Sequence, residues 1–281
     1  MSTMEAETSM ISILQSALKA VFCASQRQGK ILCLITGSSG HLGFWVIVDA
    51  LEAVLAALSI RELNPGSRLQ FVVIPDILID GAYDEAIQGA TYAIHITSPL
   101  ASVYKEGDDM GEVFIESAMD CITSSVAAIT PFKDLASRTS ETVWDENSRI
   151  PLDPPPYTNA FESYSAGKLK AFNDTEAWVE KQKPAFDVVH IFPSYIICDS
   201  THASGCALAH VKALDSRGPG NQGYILSSAG LEFAAAMENG RLANNGKVFT
   251  LPERVDERKS ETALGMKYIG FSKSRKAAGF H

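Results

Sequence analysis

Cations are scarce in this sequence. Lysine and arginine number 24 against 33 aspartates and glutamates, a formal net charge of −9 over 281 residues. The positive footprint that nucleic-acid binding needs is missing, so no nucleic-acid partner is expected. The deficit sets no limit on small anionic cofactors, which local groups hold. No apolar run reaches the roughly 20 residues that span a bilayer, so no membrane partner is expected either. Paired cysteines are also absent. Cys23, Cys33, Cys121, Cys198 and Cys206 are scattered, odd in number and free of any C-x-x-C spacing. Free thiols in a reducing, cytoplasmic compartment are the simplest reading. His202, Cys206 and His210 lack a recognised ligand spacing, and no metal is expected. In residues 1–30, Glu5 and Glu7 precede the apolar stretch Met10–Ala24, against both a secretory signal and a mitochondrial presequence. These residues read as a loosely attached N-terminal extension, with Met10–Ala24 helical.

What is present is an alternation of apolar runs with helical patterns. Ile31–Thr36 (ILCLIT) has the continuous apolar character of a strand buried on both faces. A helix from about Phe44 to Leu63 follows, stopped by Asn64-Pro65-Gly66. Leu69–Ile74 and Ala90–Thr97 read as further strands, with a short helical piece at Asp84–Gln88 between them. Met119–Thr123 is a short strand leading into Ser124-Ser125. After a proline-rich loop, Tyr164–Lys181 is a long helix and Asp187–Phe192 another buried strand. Ala207–Leu214 and Gly230–Asn239 complete the helical readings. Such alternation implies an α/β fold: a Rossmann-type doubly wound parallel sheet with a small C-terminal lobe. The expected division is 1–30 extension, 31–195 dinucleotide-binding domain, and 196–281 shortened substrate lobe with returning Rossmann elements.

Gly37, Gly40 and Gly43 stand directly between the first strand and its helix. The first allows a tight turn, the second lets backbone approach a pyrophosphate, and the third lets helix and strand pack closely. The helix N-terminus then offers free N–H groups and a positive dipole to phosphates. Further on, Tyr164 and Lys168 are spaced i, i+4 and share a helix face. A phenol with its reference pKa of about 10 is a poor proton donor at neutral pH. A nearby ammonium stabilises the phenolate and makes the tyrosine a usable general acid. The hydroxyl of Ser125, at a strand's C-terminal end, belongs in the crevice where doubly wound folds bind ligands. The bland readings compete elsewhere: Trp45, Trp144 and Trp178 read as core or rim packing, and His95 and His190 as core residues of strands.

In this order the stretches ITGSSGHLG, FVVIPDILIDGAYDEAIQGATYAIHITSPL, ITSSVAAI, YSAGK and AWVEKQKPAFDVVHIFPSYI resemble the extended short-chain dehydrogenases. The resemblance is to their dihydroflavonol, cinnamoyl-CoA and fungal aldehyde or ketone reductases. It implies an NAD(P)H-dependent reductase acting on an aldehyde or ketone, with Ser125, Tyr164 and Lys168 as the catalytic set. It also implies that Asp76 and Ile77 border the adenine, and Thr97 and Ser98 the ribose and phosphate. Pro193 and Ser194 would lie beside the nicotinamide. NADP is favoured over NAD by the resemblance, yet no strand bearing a basic residue is visible after the glycine-loop helix, so little preference between them is expected. The family assigns Leu69–Ile74 as the third strand; without it, Leu69–Ile74 reads as the second and Asp76 as the grip on an NAD ribose. The span Pro99–Ser125 and the stretch Ile197–Ala207 are both short, as if segments were deleted. A catalytically impaired dinucleotide-binding protein, or a nucleotide-sugar epimerase or dehydratase, are the alternatives. The oligomeric state is not legible.

Overall fold

The structure is a computed structural model. It describes residues 18–26, 29–38, 40–57, 69–74, 79, 81–97, 123–136, 141–194, 200–215, 218–227 and 255–266. Strand β1 (Leu18–Gln26) runs into β2 (Gly29–Ile35), the strand of the apolar run. The glycine loop follows, then helix α1 (His41–Ala57), which starts earlier than the apolar pattern suggested. Strands β3 (Leu69–Val73) and β4 (Tyr92–Ile94) complete a sheet of order β3-β1-β2-β4. Val46, Ile47, Ala50 and Leu51 recur at helical spacing on α1 and pack on Cys33, Ile35 and Ile94. Full burial of each large aliphatic side chain there contributes about 1.5–3 kcal/mol.

A second sheet pairs β5 (His190–Pro193) with β6 (Gly223–Leu226) in parallel. Thr123 stitches the two sheets together. Its N–H donates to the His95 carbonyl at 2.9 Å, it bridges Ile191, and the next N–H, of Ser124, donates to the Ile191 carbonyl at 2.8 Å. Across this stitch the strands run in Rossmann order, with Thr123 in the place of a strand between β4 and β5.

Helix α2 (Phe132–Ala136) is short, whereas α3 (Ala160–Gln182) is the long helix of the Tyr-x-x-x-Lys pattern. Asn159 caps α3 by accepting from the Phe161 and Glu162 N–H groups at 3.0 Å. Its other end closes on Lys183, left-handed at φ 46°. Phe172 of α3 packs with Val126, Ala128, Ile129, Phe192 and Ile225. Helix α4 (Ser200–Lys212) packs on α1 and, through Cys206 and Ala209, on the β5–β6 sheet; α5 (Arg258–Ala263) lies against β6.

Three expectations are corrected. The helical reading of Met10–Ala24 fails from Leu18 onward, because this backbone pairs as a strand with both β2 and β3. Hydrogen bonds to two strands outweigh a weak local helix preference. The sheet is consequently not parallel throughout: β1 is antiparallel to both neighbours. Asp84–Gln88 forms successive turns between Gly81 (φ 77°) and Gly89 (φ 75°) instead of a helix. The reading of Leu69–Ile74 as third strand is borne out in position, since β1 separates β3 from the glycine-loop strand. Gly230–Asn239 lies outside the described residues.

Candidate active site

The glycine loop is built by backbone geometry. Gly37 has φ 70°, which a side chain would strain, and its carbonyl accepts from the Gly40 N–H at 2.9 Å. A Cβ on Gly43 would lie 2.1 Å from the Gly37 oxygen, so only glycine lets α1 sit so close to the loop. Gly40 differs. It is exposed, and a Cβ there would meet only the Gly37 oxygen, at 3.2 Å. The N–H groups that begin α1, ahead of the one Phe44 donates to the Gly40 carbonyl, have no acceptor within the helix.

The segment after β4 is pinned beside this loop by Thr36. Its Oγ1 lies 2.9 Å from His95 Nδ1 and accepts from the N–H groups of Ile96 (3.1 Å) and Thr97 (3.4 Å). The Thr97 hydroxyl oxygen is buried without a hydrogen-bond partner among the described residues, and a Cβ on Gly37 would sit 3.3 Å from it. A buried orphan hydroxyl against a glycine loop suits a ligand oxygen. The opening at Gly40, the helix N-terminus and Thr97 together fit a dinucleotide pyrophosphate.

Lys168 lies on the inner face of α3, 3% exposed. Its ammonium donates to the Thr123 carbonyl at 3.0 Å and stands 5.9 Å from the centre of the Tyr164 ring. Tyr164 is half-buried and stacks on Phe161. Ser125 caps the 3₁₀ turn Val126–Ala128, and α3 packs against that turn. Its Oγ accepts from the Ala127 N–H at 3.2 Å, which leaves the hydroxyl hydrogen to be donated. Pro193 ends β5, and the Ser194 N–H donates to the Leu226 carbonyl at 2.9 Å. Asp76, Ile77 and Ser98 lie outside the described residues.

Sequence reasoning overlooked the support beneath this cluster. Thr123 Oγ1 lies 2.7 Å from the His95 carbonyl and 2.9 Å from His210 Nε2, and its one hydrogen is shared between these two acceptors. The other ring nitrogen, Nδ1, lies 2.8 Å from the Cys206 carbonyl. Burial pushes the His210 pKa down to about 4. Ser124, beside the nominated Ser125, also buries a hydroxyl without a partner among the described residues. The doubled serine of ITSS was the available signal. Cys33 and Cys206 are buried free thiols, and burial pushes both pKa values up to about 12. Trp45 packs on the β2–α1 core, Trp144 donates to Asp134, and Trp178 stacks on Phe186.

No family model matches the chain. A ketoreductase of Cercospora nicotianae is 27% identical over 85% of this chain and 91% of its own length. An NAD-dependent epimerase/dehydratase of Alternaria alternata is 32% identical over 59% of this chain and 57% of its own. The chain is a homologue of these fungal enzymes. Its fold is that of the yeast methylglyoxal/isovaleraldehyde reductase complexed with NADPH. That structure superposes with a TM-score of 0.65 over 89% of this chain and 99% of its own, at 16% identity. The NADPH complex of a Candida albicans protein, 14% identical, gives 0.64 over 89% and 99%. The resemblance drawn from the sequence motifs is thus borne out, and so is the Rossmann fold. The alignment with the Cercospora ketoreductase runs over 326 positions, more than the 281 residues present here. That relative therefore carries segments with no counterpart in this chain, as the short spans suggested.

Proposed function

We propose that this chain is an NAD(P)H-dependent oxidoreductase that reduces an aldehyde or ketone at the cluster of Ser125, Tyr164 and Lys168. The carrying observation is the buried Lys168 ammonium beside the Tyr164 ring. Lysine is almost never fully buried without a partner, and a desolvated charge next to a phenol is an arrangement with chemical use. The ketoreductase names of the relatives and the NADPH held by the fold neighbours support the same reading.

The glycine loop, with Gly37, Gly40 and Gly43, would hold the pyrophosphate. Thr97 and Ser98 would take the adjoining phosphate and ribose, Asp76 and Ile77 the adenine edge, and Pro193 and Ser194 the nicotinamide. When bound, the nicotinamide supplies the hydride that reduces the carbonyl carbon. Tyr164 gives its hydroxyl proton to the carbonyl oxygen as negative charge builds there. Lys168 stabilises the phenolate left on Tyr164. Ser125 donates its remaining hydrogen to the same carbonyl oxygen and fixes the substrate's orientation. The Thr123 carbonyl keeps the ammonium in place. Among the described residues no helix is long and apolar enough to cross a membrane. With the free buried thiols, this favours a cytoplasmic enzyme acting on a small-molecule carbonyl.

The test is NADPH and NADH consumption by the full chain against a panel of aldehydes and ketones, with Tyr164→Phe as the control. Tyr164→Phe should lose about 10²–10⁴-fold in rate while still binding cofactor. Turnover at the parent rate by that variant would remove the mechanism. A parent protein that binds cofactor and reduces nothing in the panel would establish the catalytically impaired alternative.

A further inference from the structure

The carbonyl that receives the Lys168 ammonium belongs to a strand place only one residue long among the described residues. Thr123 makes a single bridge to Ile191 and gives its N–H to the His95 carbonyl, and Ser124 gives its N–H to the Ile191 carbonyl. A regular strand fixes each carbonyl through a ladder that continues on both sides. A ladder this short leaves the Thr123 carbonyl little rigidity of its own. Yet that carbonyl sets where the ammonium stands, 5.9 Å from the centre of the Tyr164 ring.

The threonine side chain supplies the missing restraint. Oγ1 reaches the His95 carbonyl, just past β4, and His210 Nε2 on α4. The direction of the second contact follows from the far side of the imidazole. His210 Nδ1 lies 2.8 Å from the Cys206 carbonyl, and a carbonyl only accepts, so Nδ1 carries the ring hydrogen and Nε2 the lone pair. Nε2 therefore accepts from the Thr123 hydroxyl, sharing its hydrogen with the His95 carbonyl. The imidazole is a stiff acceptor, because it is buried and tethered one turn back on its own helix. That helix is anchored in turn: Cys206 and Ala209 pack with Ile191 of the β5–β6 sheet, and Ala207 packs in the β2–α1 core. His210 thus ties Thr123 to a helix seated in both cores.

We propose that His210 is a positioning residue for the carbonyl reduction: acting through Thr123, it holds the Lys168 ammonium at the separation from Tyr164 that proton transfer needs. This rests on reading Ser125, Tyr164 and Lys168 as the reductase site. An ammonium stabilises a phenolate by an amount that falls with separation, and a low local dielectric enlarges that dependence. A misplacement of about 1 Å, caused by a change remote from the chemistry, can cost about 10²-fold in rate. His210 meets no reacting atom. Its effect passes through one hydroxyl and one backbone carbonyl.

The experiment is steady-state kinetics of the full-length protein with NADPH and a panel of aldehydes and ketones. The variants are His210→Leu, His210→Gln and Thr123→Val, with His210→Leu made also in the Lys168→Met background. His210→Leu should lower kcat roughly tenfold or more, with the KM for the carbonyl and the affinity for NADPH unchanged. Thr123→Val, of nearly the same shape, removes the same hydrogen bond from the other partner and should match that loss. His210→Gln has a side-chain oxygen that can accept the same hydrogen, and it should recover most of the rate. In Lys168→Met the group to be positioned is gone, so adding His210→Leu should cost nothing further. Folded His210→Leu and Thr123→Val proteins at the parent kcat overturn the assignment. So does an equal loss in the Lys168→Met background, or a Gln variant no better than Leu, either of which would mark His210 as structural only. A parent that reduces no carbonyl in the panel overturns the proposed function and this inference together, whereas an active parent indifferent to His210 overturns this inference alone.

Discussion

His210 Nε2 lies 2.9 Å from Thr123 Oγ1, and the carbonyl of that same threonine holds the Lys168 ammonium at 3.0 Å. A helix from beyond β5 thus braces the residue on which the lysine of the proposed catalytic set rests. The brace is built from a neutral imidazole, since burial lowers the His210 pKa to about 4.

That shift makes stability depend on pH in a definite direction. Between about pH 6.5 and pH 4 the unfolded chain takes up a proton at His210 that the folded chain refuses. The contribution is present above this window and is lost as pH falls through it. By pH 5 the loss from this one group is about 2 kcal/mol. Urea midpoints at pH 7.5 and pH 5 measure it. The parent should lose about that much more than His210→Gln, which keeps a polar partner for Thr123 but does not titrate. Equal losses in both proteins would show that His210 is solvated.

The glycines of the loop should separate by function. Gly40→Val places its side chain where only the Gly37 oxygen is near, on the face open to a pyrophosphate. It should weaken NADPH binding at least tenfold, about 1.4 kcal/mol, with little change in melting temperature. Gly43→Ala drives a methyl to 2.1 Å from the Gly37 oxygen. It should instead destabilise the protein by about 1–3 kcal/mol, as overpacking does. A Gly40→Val protein that melts early but binds normally would reverse this division.

Local signals carried much of this fold and nonlocal ones the rest. The apolar run of β2, the three glycines and the i, i+4 pair on α3 are written in neighbouring residues, and the folded chain keeps them where the spacing put them. β1 was not legible because its partners, Ile35 and Val73 among them, lie on other strands, and LKAVFCASQ has no strict alternation to betray a strand. His210 was noticed only as a weak metal candidate, since its real partner Thr123 is 87 positions away. Thr36 looked like the end of a strand; its role in pinning Ile96 and Thr97 exists only once β4 is beside β2.

Thr97→Val tests whether an orphan hydroxyl is kept for a ligand. The Thr97 oxygen is buried without a partner among the described residues, an arrangement that costs about 1–3 kcal/mol. Replacing it with a methyl of nearly the same shape should raise the melting temperature of the cofactor-free protein. The same change should lower NADPH affinity. A variant that gains stability and keeps full affinity would leave the hydroxyl without a purpose in binding.

Lys168→Met should uncouple stability from activity. The ammonium is almost completely buried and donates to the Thr123 carbonyl, so it carries a desolvation cost that a neutral side chain would not. Methionine fills similar space without a charge to desolvate. The variant should therefore melt no lower than the parent, within about 1 kcal/mol of stability or above it. Its carbonyl reduction should fall by at least about 10²-fold, because Tyr164 loses the charge that stabilises its phenolate. A large loss of stability in Lys168→Met would mean that the lysine serves the fold, and the chemistry assigned to Tyr164 would need another source of assistance.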